Sequence, residues 1–199
     1  MVRHGQNDMV GKKLAGRLPG VHLNEQGQAQ ARRLAAHLSE LPIKAVISSP
    51  LARAQETASP IARVHDLTVE INDGLIEIDF GTWQGGSLKQ LQRRKLWKDV
   101  QNHPSGFCFP EGETFAEAQA RIVKTLQVLS DQYAQKDLVV CVGHCDSTRL
   151  AVAHFLGVPM DGFQRLRIDP ASITVLYMWD GAATFGSINA SIDFPKFNI

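Results

Sequence analysis

Short, dense apolar runs alternate along this chain with longer stretches in which apolar residues recur every three or four positions. Strands buried on both faces give the first pattern and amphipathic helices the second, so the alternation predicts an α/β fold. Asn24 can cap a helix running to about Leu41, with Leu34, Leu38 and Leu41 on one face and Pro42 ending it. The Ala-Val-Ile run within 44–48 predicts a short buried strand, and a helix over about 51–64 follows, with Pro60 expected to kink it. Residues 68–71 read as a strand and 88–100 as a polar helix. Thr114 and Glu117 form a capping-box pattern opening a long helix to about Tyr133. A dense apolar strand over 138–142 precedes a helix over 146–156, which Gly157 can close in the left-handed conformation. Two further strands, 173–179 and 183–188, flank Asp180-Gly181, a strong two-residue hairpin signal. The expected sheet is mixed, with parallel strands joined by helices and an antiparallel edge. Only Met1 and Val2 precede Arg3, fewer than the roughly five residues of an ordinary strand, which predicts a native start upstream of Met1.

Composition narrows this picture. With 199 residues and 44% hydrophobic content, the chain is long enough to bury a sizeable core. A net charge of +1 supplies no global field to attract nucleic acid or a membrane surface. No stretch approaches the roughly 18 apolar residues of a membrane span. No repeat or linker divides the chain, so one domain over 1–199 is expected. The three cysteines, Cys108, Cys141 and Cys145, form no CxxC pair and read as reduced thiols of a cytoplasmic protein, not as a zinc site.

The candidate chemistry lies at two strand ends. In open α/β sheets, ligands bind beyond the carboxyl ends of the strands. His4 follows the first apolar stub and His144 follows the run ending Cys-Val-Gly; Gly5 and Gly143 beside them permit close backbone approach. A satisfied structural histidine is the common explanation of a lone histidine, but here it would have to cover two, each next to a glycine, and Arg3 as well. His22, His37, His65, His103 and His154 lack such settings and are expected on the surface or in packing.

Five further features complete a pattern. Val2-Arg3-His4-Gly5, the segments 23–31, 48–58 and 75–85, and Val142-Gly143-His144 occur in one order, with 171–176 as a late strand. Together they resemble the histidine phosphatase superfamily, the phosphoglycerate mutase-like family, over nearly the whole chain. The resemblance implies a three-layer α/β/α sandwich around a mostly parallel mixed sheet with one antiparallel edge strand, with a small helical cap-like insertion around 82–113. It also implies a phosphohistidine on His4. Neutral imidazole is a good nucleophile near pH 7, and phosphoryl transfer needs charge stabilisation and in-line positioning. Arg3 and Arg53 match phosphate oxygens bidentately, and His144, if protonated, adds a donor. Glu77 matches the family's proton donor, with Asp79 as its local rival. Gly5, Asn7, Gly16, Arg17 and Cys145 are expected to contact substrate, and Arg93, Arg94 and Lys95 to form a solvated basic face. No cofactor and no metal is expected. The partner is a small phosphorylated metabolite, handled by a monomer or homodimer.

The sequence departs from the family pattern at four positions. Asn7 replaces the usual threonine, Val10 a common asparagine and Cys145 a common glycine, and Asp146 follows, a carboxylate expected to turn away as a helix N-cap. The tryptophan-tyrosine-glycine segment of the glycolytic mutases is missing, which favours a phosphomonoesterase over a mutase. A non-catalytic phosphate-binding protein that kept the fold is a third reading. A metallophosphatase using His4, His144, Asp8 and Asp146 is a fourth, set back by its ligand spacing.

Overall fold

The computed structural model describes residues 1–192. Six strands form one sheet: β1 (Val2–Arg3), β2 (Ile43–Ser48), β3 (Val69–Ile71), β4 (Leu138–Gly143), β5 (Ile173–Trp179) and β6 (Ala182–Ala190). Their order is β3-β2-β4-β1-β5-β6. The first four run parallel, while β5 lies antiparallel to both β1 and β6. The antiparallel region is therefore at one edge, as expected, with the reversed strand next to last and β6 outermost.

β1 is only two residues long, yet it sits inside the sheet. Val2 pairs with Val142 on one side and Ile173 on the other. The His4 N–H donates to Gly143 O at 3.0 Å and the Arg3 N–H to Ser172 O at 3.1 Å. Neighbours on both flanks satisfy its backbone, which is what a buried strand of any length requires.

Helices α1 (Glu25–Leu38) and α2 (Ala52–Arg63) cover one face, burying Leu34, Leu38, Ala58 and Ile61 against Val2, Val46, Val140 and Val142. Helices α5 (Phe115–Gln132) and α6 (Cys145–Leu156) cover the other, with Ile122, Leu126 and Leu150 packed over Ala45, Ile47 and Cys141. The result is a three-layer sandwich. Each fully buried Leu or Ile contributes roughly 1.5–3 kcal/mol. Such packing offsets the hydrogen bond that Pro60 cannot make, and α2 continues past it to Arg63.

The local signals hold where capping chemistry is explicit. Asn24 caps α1, accepting from the Gly27 N–H at 3.0 Å. Thr114 and Glu117 form both halves of the capping box on α5. Gly157 closes α6 at φ 67°, and Asp180 and Gly181 turn the β5–β6 hairpin with positive φ at both residues. Helix α1 stops at Leu38, three residues before Leu41, which is 41% exposed.

The expected helix over 88–100 is instead two short pieces, α3 (Leu88–Leu91) and α4 (Leu96–Asn102). Aromatic packing overrides helical periodicity here. Trp97 stacks on the buried Trp83 at 6.3 Å between ring centroids, and the Arg94 guanidinium lies over the same ring at 5.6 Å. Phe80, Phe107, Phe109 and Phe115 continue this cluster into the core under α5. Arg93 and Lys95 are exposed, as a solvated face requires.

One contact ties the first helix to the carboxyl end of β1. A Cβ on Gly5 would meet Gly27 O at 2.7 Å, and one on Gly27 would run into Gln6 O. Only glycine at both positions lets α1 approach the loop after His4 this closely. Gly27→Ala is expected to cost about 1–3 kcal/mol by overpacking, measured as a lower urea midpoint; an unchanged midpoint would mean that the helix can back away.

Candidate active site

Arg3 and His4 leave the carboxyl end of β1, Arg53 lies in the first turn of α2 beyond β2, and His144 occupies the N-cap of α6 just past β4. Glu77 lies in the extended stretch after the 3-10 turn Asp73–Leu75. The fold thus brings together residues separated by up to 141 positions in sequence. His4, Arg53, Glu77 and His144 are all buried, at 4%, 2%, 6% and 0% exposure.

The hydrogen bonds fix the state of His4. Its Nδ1 lies 2.7 Å from Gly5 O. A carbonyl only accepts, so Nδ1 carries the proton and Nε2 keeps its lone pair. Arg53 Nε donates to that Nε2 at 3.2 Å, while Arg53 Nη2 donates to Gly16 O at 2.8 Å. Burial, then the charges of Arg53 and Arg3, push the His4 pKa well below its ordinary 6.5. The ring is therefore neutral at neutral pH. Burial lowers the Arg53 pKa to about 10, which still leaves it charged.

His144 packs 5.2 Å from His4 between ring centroids, and its Nε2 lies 2.7 Å from Ser49 Oγ. Burial first, then Arg53 and its other neighbours, push its pKa well below 6.5. His144 is thus a neutral ring at neutral pH, with Nε2 against the Ser49 hydroxyl. Glu77 moves the other way. Burial and the nearby Asp146 raise its pKa, against the opposing pull of the Ile78 and Ser147 N–H groups and of Arg53. Its carboxyl group accepts from the Ile78 N–H at 3.1 Å, the Ser147 N–H at 3.0 Å and the Asp146 N–H at 3.3 Å.

Three buried N–H groups of this cluster have no acceptor among the described residues: Arg3 Nε, Arg53 Nη1 and Asn7 Nδ2. A buried donor left unmatched costs about 1–3 kcal/mol. Three of them, two on guanidinium groups, favour an anion with several oxygens.

The remaining expected residues fall in four groups. Asn7 is buried, and its Oδ1 accepts from the Met9 and Val10 N–H groups, which shapes the turn after His4 and leaves Nδ2 without a partner among the described residues. Gly5 and Gly16 act through backbone, Gly5 N–H donating to Thr57 Oγ1 at 3.0 Å and Gly16 O accepting from Arg53. The Arg17 guanidinium is engaged by Glu77 O at 2.9 Å and Glu113 at 2.9 Å. Cys145 Sγ lies 3.6 Å from Ile168 O, the carbonyl that also accepts from Arg3 Nη1. Burial, with Asp146 adding to it, pushes this thiol up to about 12.

Asp146 does not cap its helix. His144 occupies the N-cap without a side-chain bond, and Asp146, inside the first turn, pairs with Arg149 Nη1 at 2.9 Å. The ion pair outcompetes the cap because Arg149 stands one turn away on the same face. Sequence reading did not single out Ser49 or Thr57, although both lie in a segment it matched; buried hydroxyls beside Arg53 were the available sign. Among the described residues no group of three or more His, Cys, Asp or Glu side chains could hold a metal ion, and no helix is long and apolar enough to cross a membrane.

Comparison with known proteins meets this geometry from another side. An uncharacterised protein of Mycobacterium tuberculosis (strain ATCC 25618 / H37Rv) is 40% identical over 147 residues, 72% of this chain and 71% of its own. A 2,3-bisphosphoglycerate-dependent phosphoglycerate mutase of Thermoplasma acidophilum is 29% identical over 207 residues, 99% of this chain and 96% of its own. Among solved structures, the mycobacterial glucosyl-3-phosphoglycerate phosphatase is similar at a TM-score of 0.86, with 26% identity over 96% of this chain and 97% of that one. The family description "Histidine phosphatase superfamily (branch 1)" matches residues 1–191, and the chain belongs to that family.

Proposed function

We propose that this enzyme is a metal-independent phosphomonoesterase of small phosphorylated metabolites, working through a phosphohistidine on His4. The observation that carries this reading is the state of His4: a neutral ring, its Nδ1–H tied to Gly5 O, its Nε2 lone pair set among buried cations. Nε2 attacks phosphorus in line, the P–N bond forms as the P–O bond to the leaving alcohol breaks, and Glu77 delivers the proton that alcohol needs. Water then attacks the phosphohistidine, gives its proton back to Glu77, and frees inorganic phosphate and His4. Arg3, Arg53, the Asn7 amide and the His144 N–H bind the phosphoryl oxygens; charge on the substrate favours a proton on His144 only once the anion is bound. Gly5, Gly16 and Arg17 shape the pocket through the backbone and its supports, and Cys145 lines it.

The chain is read as one domain over 1–199, with 82–113 as a cap-like insertion anchored by Trp83, Trp97 and Phe107. Three cysteines without a disulfide support a cytoplasmic setting. A mutase reading retains one support, the identity with the archaeal mutase, and an assay for phosphoglycerate interconversion beside a panel of phosphomonoesters separates the two.

His4→Ala is expected to lower kcat/KM for an aryl phosphate by on the order of 10³ or more, with chelator leaving the wild-type rate unchanged. A variant retaining more than a few per cent, or a chelated enzyme revived by a divalent metal, would overturn the mechanism. Glu77→Gln should slow alkyl phosphates by about 10²–10³ and aryl phosphates with good leaving groups far less, because only the former need the proton. The pH profile has a fixed sign. Activity falls on acidification as His4 gains a proton, below pH 6.5, and on alkalinisation as Glu77 loses its proton, above 4.5. The alkaline limb should weaken with a good leaving group; a limb that does not respond to the leaving group would move the acid role off Glu77.

A further inference from the structure

The stretch carrying Glu77 borrows its position from side chains. Residues 76–80 belong to no strand of the sheet and no helix. Their backbone is held instead by two guanidinium groups. Arg121 Nη1 donates to Gly74 O at 3.1 Å and Ile76 O at 2.8 Å, and Arg17 Nε donates to Glu77 O at 2.9 Å. Both arginines come back to one atom. Glu113 Oε1 accepts from Arg17 Nη2 at 2.9 Å, from Arg121 Nη2 at 2.6 Å and from the Asp79 N–H at 3.1 Å. The backbone of Glu113 adds a fourth tie, its N–H donating to Asp79 O at 3.0 Å.

We propose that Glu113 is a positioning residue for the Glu77 proton donor, acting through Arg17 and Arg121 as the shared counter-ion of a clamp around residues 74–79. The inference rests on the reading of Glu77 as the acid. Two like-charged guanidinium groups gripping one short loop repel each other, and a single carboxylate oxygen between them removes that repulsion while fixing both forks. The carbonyls of Gly74, Ile76 and Glu77 and the N–H of Asp79 are thereby pinned on either side of the acid's Cα. On the opposite side the Glu77 carboxyl group meets the Ser147 and Asp146 N–H groups of α6. Proton delivery to a leaving oxygen tolerates little misplacement. Loosening the clamp therefore reduces the acid's contribution while leaving the nucleophile, which stands on β1, in place. Arg17, expected from the sequence to touch substrate, takes a supporting part in this arrangement.

The test compares Glu113→Gln and Arg121→Lys with the wild-type enzyme on p-nitrophenyl phosphate and on a simple alkyl phosphate. Both variants keep polar side chains of similar size, and Arg121→Lys carries the comparison should Glu113→Gln fold poorly. The expected result is a fall of about tenfold in kcat on the alkyl ester and a change within about twofold on the aryl ester. Equal losses on the two esters, or no loss on either, would overturn the positioning role, since a general loosening of the fold does not discriminate leaving groups. Glu77→Gln measured in parallel separates the two claims. If it too slows both esters equally, the assignment of Glu77 as acid fails and the clamp's role with it. If it alone discriminates, Glu77 stands and Glu113 does not position it.

Discussion

Arg53 is held in the interior with no carboxylate of the described residues in hydrogen-bond contact; its bonds go to the imidazole of His4 and the carbonyl of Gly16. A buried cation in that situation is expensive, by several kcal/mol before compensation, and the surroundings are organised by that expense. The two imidazoles beside it are pushed toward their neutral forms, first by burial and then by its charge. Glu77, although drawn toward ionisation by Arg53, is pushed further the other way by burial and by Asp146, so its pKa is raised. In the proposed reading, a dianionic phosphoryl group would settle all of these demands together, and the positive field that binds it would also favour the neutral imidazoles.

The sheet makes this arrangement affordable in structural terms. Arg3 and His4 are bonded on both flanks, to Gly143 and Ser172, and the Ala171 N–H reaches back to the carbonyls of Arg3 and His4. Arg53 stands on α2, whose small residues Ala54 and Ala58 let the helix lie close to the strands. His144 begins α6, so the N–H groups of that helix face Glu77. Each group thus stands at the end of a rigid element, and only Glu77 depends on a loop.

That division also governs what could be read from the sequence. His4 and His144 stood out in the sequence because each follows an apolar run and adjoins a glycine, whereas Arg53 and Glu77 stood out only through the family resemblance of their segments. The capping box of Thr114, the left-handed stop at Gly157 and the Asp180-Gly181 turn were legible because their chemistry is local. The break between α3 and α4 was not, because it follows from Trp97 meeting Trp83, a contact that helical spacing does not encode. Asp146 was misread for a similar reason: an acidic residue at a helix start suggests a cap, and the competing Arg149 one turn on decides otherwise. Glu113 carries no local signal at all, since its partners lie 96 and 8 positions away.

Cys145 places a thiol next to His144, at the start of α6. With its pKa pushed up to about 12, only about one molecule in 10⁵ holds that sulfur as thiolate at pH 7. In the proposed reading the phosphoryl group therefore goes to His4 and not to this sulfur, whose thiol is kept uncharged by burial and by the carboxylate of Asp146.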